Sequence, residues 1–133
     1  ASEASLSYEA YRSYQNVDLH ARTAQASPVQ LVLILTDGLL EELARARAHI
    51  VARRYEAKAR SLDRCIDILN GLSSALDTES GGELVDNLAR LYDYCAHRLC
   101  QAGIKLDPAI VDEVVNLMTT LRNGWQAMQV RHG

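Results

Sequence analysis

The sequence predicts an all-α protein, an antiparallel up-down four-helix bundle with an additional short N-terminal helix or lid segment. Three observations lead there. Apolar residues recur at spacings of three and four in four separate stretches. Two of these open on the same signal, a short oxygen-bearing side chain followed by proline, at Ser27-Pro28 and Asp107-Pro108. No segment alternates with the period of two that a half-buried strand requires. The links between stretches are short, so successive helices are expected to run antiparallel as neighbours. Residues 1–26 are assigned to the lid segment and residues 27–133 to the bundle, one domain overall.

Taken in order, the leading segment holds Tyr8, Tyr11 and Tyr14, three of the six tyrosines, beside Leu6, Ala10 and Val17. Positions 6, 10 and 14 would line one side of a short helix, and rings with a polar tip suit a surface that is alternately covered and wet. A detachable lid and a permanently docked first helix both satisfy that pattern. The first long helix opens at Ser27, where Gln30 three residues on completes a capping box. Leu31, Val32, Leu33, Ile34 and Leu35 follow without a polar break and wrap most of the circumference. Continuing the helix to about Arg53 separates two stripes. Leu31, Val32, Leu35, Leu39, Leu43, Ala46 and Ile50 form the core face; Val29, Leu33, Leu40 and Val51 form a second, about 120° away. That second stripe needs its own cover, either further bundle neighbours or a docked foreign segment. Gly38, on this most apolar helix, costs ~1 kcal/mol relative to alanine, which close approach of another backbone would justify.

Arg53 and Arg54 put cations at the C-terminus of this helix, where they favour its dipole, and a turn around Tyr55 follows. Leu62, Cys65, Ile66, Leu69, Leu72 and Leu76 mark the second helix, which stops at residues 77–82 because Gly81 and Gly82 sustain helix poorly. Leu84, Val85, Leu88, Leu91, Tyr92, Cys95 and Leu99 mark the third, with Gly103 as its left-handed stop. In the fourth, Ile110, Val111, Val114, Leu117, Met118, Leu121, Trp125 and Met128 face inward. Asp112, Asn116, Thr119, Arg122 and Gln126 face water.

Length and composition, 133 residues with 48% hydrophobic and 23% charged, suffice for one continuous core. A net charge of −3, with twelve arginines and two lysines in no basic stripe, argues against nucleic acid and membrane as partners. The longest apolar run is five residues and the leading segment lacks the layout of a secretory signal, so a cytoplasmic location is expected. Cys65, Cys95 and Cys100 fall within helical patterns and read as reduced packing residues. No glutamate has a histidine three residues on, as an inward di-metal carboxylate site needs. Cys95 and His97 diverge by about 200° around a helix and cannot share a metal. No catalytic residue, metal or cofactor is therefore assigned. His97-Arg98-Leu99 resembles the start of the His-x-Leu-Lys-Gly signature of histidine phosphotransfer domains, but Cys100 and Gln101 replace its cation and its small residue.

A second resemblance extends over nearly the whole chain. Tyr14-Gln15, Ala26-Ser27-Pro28, Leu35-Thr36-Asp37-Gly38, Gly81-Gly82-Glu83 with Asn87-Leu88, Leu91-Tyr92-Asp93-Tyr94, Glu113-Val114, and Leu121-Arg122 with Trp125 together resemble the flagellar secretion chaperone FliS family. The departure is Thr36, where the family usually has an aromatic residue. The resemblance implies a non-enzymatic bundle that binds the disordered C-terminal segment of flagellin, prevents premature polymerisation and delivers the subunit to the export apparatus. An export-gate component and an anti-sigma factor are further partners it admits, and a monomer or weak homodimer is expected. Candidate client-binding residues are Val29, Leu33, Gly38, Leu40 and Val51, with Tyr92 and Tyr94; Tyr92 also lies on the core stripe. Tyr8, Tyr11 and Tyr14 are the candidate lid. The competing reading is a bundle that binds some other amphipathic segment or pairs with itself.

Overall fold

The structure, a computed structural model, describes residues 27–76 and 81–132. The lid segment with Tyr8, Tyr11 and Tyr14 lies outside the described residues. Among the described residues there are four α-helices: α1 (Pro28–Val51), α2 (Tyr55–Ser74), α3 (Gly82–Lys105) and α4 (Pro108–His132). Among the described residues there is no strand. α1 packs on α2 and α4, and α3 packs on the same two helices, so the four stand in cyclic order with α1 and α4 closing the ring. Both short turns, between α1 and α2 and between α3 and α4, therefore lie at one end of the bundle.

Local chemistry sets the helix starts. Ser27 Oγ accepts from the Gln30 amide at 3.2 Å while Gln30 Oε1 accepts from the Ser27 amide at 2.8 Å, a complete capping box with Pro28 at the first position. At α4 the Asp107 carboxylate accepts from the Ala109 amide at 2.9 Å. The C-terminus of α1 closes by a Schellman pair: the Arg53 amide donates to Ile50 O at 3.2 Å and the Arg54 amide to His49 O at 2.9 Å. That geometry requires a left-handed residue, and Arg53 supplies it with φ of 58°.

Two boundaries differ from the sequence reading. Tyr55 is the first residue of α2 rather than the centre of a turn; the reversal occupies residues 52–54. α3 runs through Gly103 to Lys105, and Leu106, with φ of 54°, is the left-handed residue. Gly103 is needed for packing instead of stopping: an added Cβ would stand 3.0 Å from Leu62 Cδ1 on α2. Lys58 Nζ also donates to the Gly103 carbonyl at 3.0 Å, tying the first turn of α2 to the last of α3. No such crowding surrounds Gly71 or Gly124, where a Cβ would meet nothing within 4 Å.

The core is continuous through all four helices, from Leu39, Leu43, Ala46 and Ile50 of α1 to Val111, Val114 and Met118 of α4. Cys65, Leu69 and Leu72 of α2 and Tyr92, Cys95 and Leu99 of α3 complete it. Cys65 and Cys95 are buried and free, and burial pushes the Cys95 thiol up to about 11. Leu84, placed on the inward stripe of the third helix by its spacing, is exposed, because α3 begins two residues earlier and its first turn overhangs the core. Arg122 and Asp112 do not simply face water. Arg122 pairs with both carboxylate oxygens of Asp37, and Arg47 holds Asp112 at 2.7 and 3.2 Å, so two ion pairs stitch the α1–α4 seam.

Candidate binding surface on the first helix

From Val29 to Leu40 no residue of α1 reaches full exposure, whereas exposed residues recur from Glu41 onward. The opening half of the helix is thus shielded all round, as its unbroken apolar run implies. The core face there differs from the simple stripe. Leu33, Thr36 and Leu39 are the buried positions, while Leu31, Val32 and Leu35 are half-buried. Val32, Leu35 and Leu40 pack against the central core. Val29, Leu31, Leu33 and Ile34 are not among the residues that form that core or pack against it. Val29, Leu31 and Ile34 are thus half-buried and Leu33 buried without joining the central cluster.

The candidate residues separate accordingly. Val29 and Gly38 are half-buried, Leu40 leans on the core, and Leu33 is only 9% exposed although it stands apart from the core cluster. Tyr92, 2% exposed, is a core residue of α3, and burial pushes its phenol up. Tyr94 is exposed and donates its hydroxyl to Glu113 Oε2 at 3.1 Å. The Glu113 carboxyl is held below its usual range by the hydrogen bond from Arg98 Nε at 2.7 Å, helped by Tyr94. Val51 is 59% exposed and lies 22 residues from Val29, about 33 Å along the helix at 1.5 Å per residue. Val51 thus belongs to the opposite end of the bundle.

Two features escape the pattern-based reading. Glu42 lies on the core stripe with its side chain 1% exposed, 3.2 Å from Arg64 and 3.3 Å from Arg45. Burial opposes its ionisation, but hydrogen bonds from Arg64, Ser61 and Arg45 outweigh it and hold the carboxyl below the usual range. Its signal is a carboxylate three residues after Leu39 and three before an arginine. Thr36, at the position that departs from the resemblance, is fully buried and its Oγ1 has no hydrogen-bond partner among the described residues. The Trp125 Nε1 on α4 is likewise buried and, among the described residues, unpartnered. His97 is exposed on α3, and its neighbour Arg98 is engaged by Glu113 and Gln101. Among the described residues no three His, Cys, Asp or Glu side chains converge on a metal-binding arrangement, and no helix is long and apolar enough to cross a membrane.

Fold and burial together define an all-α bundle whose first helix opens on aliphatic residues that stand apart from the central core cluster. Comparison with known proteins makes the class specific. The family described as flagellar protein FliS matches residues 10–132, and the chain belongs to that family. Flagellar secretion chaperone FliSB of Pseudomonas aeruginosa is 38% identical over 120 residues, covering 90% of this chain and 95% of the relative. Flagellar secretion chaperone FliS of Salmonella typhimurium is 37% identical over 116 residues, 86% of each chain. The Bacillus subtilis chaperone of that name is 32% identical over 128 residues, 92% of each.

Proposed function

We propose that this protein is a cytoplasmic export chaperone that captures the disordered C-terminal segment of flagellin, keeps it from polymerising and delivers it to the flagellar type III export apparatus. The observation that carries the reading is the set Val29, Leu31 and Ile34, half-buried aliphatic residues that stand apart from the bundle's central cluster, beside buried Leu33. Membership of a family whose relatives are called flagellar secretion chaperones supports it.

The energetics favour a long contact path over one pocket. Ordering roughly 20 client residues costs ~20 to 40 kcal/mol of backbone entropy. At about 25 cal/mol per Å² this demands on the order of 1,000 to 1,500 Å² of apolar burial before net affinity appears. A client that lays short amphipathic helices along α1 and continues around its neighbours supplies that area. Val29 and Leu33 are its anchors on the opening turns, Gly38 admits its backbone, and Leu40 marks the far limit of this stretch. Tyr94 offers a ring and a hydroxyl on the face of α3.

Val29→Glu places a charge where the client's aliphatic side chains sit, on a half-buried residue outside the core. It is expected to weaken capture of a flagellin C-terminal peptide by at least about tenfold in calorimetry, with the helical circular dichroism unchanged. Unchanged affinity removes the opening turns of α1 from the client path.

A further inference from the structure

Seven large apolar side chains are exposed among the described residues, and four of them, Val51, Tyr55, Ile104 and Leu106, fall at one end of the bundle. They flank the two short turns, residues 52–54 and the Leu106-Asp107 corner, which the topology brings side by side. Ile104 is 82% exposed. The Lys58–Gly103 hydrogen bond fixes the first turn of α2 against the last turn of α3 at this end, with Lys58 Nζ 5.9 Å from the centre of the Tyr55 ring. Apolar side chains grouped this way on a surface mark a contact site more often than scattered ones do.

The same end concentrates positive charge. Both lysines of the chain, Lys58 and Lys105, are here, with Arg53, Arg54 and Arg60 around them. Among the described residues Arg53, Arg60 and Lys105 form no ion pair, and Arg54 Nε donates to His49 Nδ1 at 3.0 Å. The carboxylates nearby are Glu56, Asp107, which caps α4, and Asp112, which Arg47 occupies. His49 is held below its usual range by burial first and then by Arg54, with Arg64 and Arg60 adding to the effect and Glu42 opposing it. A chain of net charge −3 thus presents one cationic, aliphatic end.

We propose that this end is a second docking surface, separate from the client path on α1, and that it takes an acidic amphipathic segment of a partner protein. Aliphatic side chains of the partner cover Ile104, Leu106, Val51 and the Tyr55 ring, and its carboxylates meet Arg53, Arg60 and Lys105. Three of the five cations are arginines, whose forked guanidinium matches carboxylates with two parallel hydrogen bonds. The surface lies about 33 Å from Val29 along α1 at 1.5 Å per residue, so the chaperone can hold client and partner together.

The test titrates the full-length protein with a synthetic helical peptide carrying leucines at i, i+3, i+4 and i+7 and glutamates elsewhere. A peptide with lysines in place of the glutamates serves as control, and binding is read by fluorescence anisotropy and amide chemical shifts. The glutamate peptide is expected to bind, shifting the amides of residues 51–60 and 103–107, and to lose affinity as salt rises. Arg53→Glu with Lys105→Glu is expected to weaken it about tenfold, and Ile104→Ser, at an exposed position that leaves the fold intact, to weaken it separately. Val29→Glu should leave this binding unchanged, which separates the proposal from the client reading. Equal binding of the lysine peptide, insensitivity to these substitutions, or binding to phosphatidylglycerol-containing vesicles without binding to the peptide would each overturn it.

Discussion

Thr36 and Glu42 show opposite fates for polar groups placed inside a bundle. The Thr36 hydroxyl is fully buried without a partner among the described residues, and leaving such a group unpaired costs about 1 to 3 kcal/mol. Thr36→Val keeps the shape and removes the hydroxyl, and is expected to raise stability by about 1 kcal/mol in urea unfolding. Glu42 is buried but satisfied by Arg64, Arg45 and Ser61. Its carboxyl is lower in the folded protein than in the unfolded chain, so its contribution is fully present above the unfolded value, about 4.3, and is lost as pH falls through the folded one. Glu42→Gln is expected to cost about 3 kcal/mol at neutral pH, since it leaves Arg64 without its counter-ion. The gap in melting temperature between wild type and variant should close as the pH drops below about 4. A gap independent of pH would remove the ion pairs as its cause.

At the scale of helices, residues whose signals are local are readable in the sequence, and those whose role depends on a neighbouring helix are not. Ser27, Pro28 and Gln30 specify the start of α1 through contacts within four residues, and Asp107 does the same for α4. Gly103 resembles a helix stop on sequence grounds, but it lies inside α3 because Leu62 of another helix occupies the space its side chain would need. The candidate site divides the same way. The excess of aliphatic residues on α1 is visible in its periodicity, whereas the burial of Tyr92 and the distance of Val51 from Val29 follow from packing and helix length. Gly71 and Gly124 are exposed and have open space around them, so no packing demand offsets their conformational cost. Gly71→Ala and Gly124→Ala are each expected to add about 0.5 to 1 kcal/mol. Gly103→Ala should gain less than either, or lose, because Leu62 must yield. Equal gains at all three positions in thermal unfolding would show that the α2–α3 contact is not tight.

For the molecule as a whole, cyclic order of the helices gives it two ends with different surfaces. One carries the aliphatic opening turns of α1, the other the cationic turns. The arrangement also bears on how the bundle assembles. Three of its four principal interfaces join helices adjacent in sequence, and only the α1–α4 seam, pinned by Asp37–Arg122 and Arg47–Asp112, joins opposite ends of the described chain. Closing that seam demands the largest loop entropy, so it is the step a folding chain postpones. Asp37→Asn should therefore quicken unfolding while leaving the refolding limb of a chevron plot nearly unmoved, and a slowed refolding limb would put the seam in the nucleus. Under load or at high temperature, α4 is the helix that peels away first.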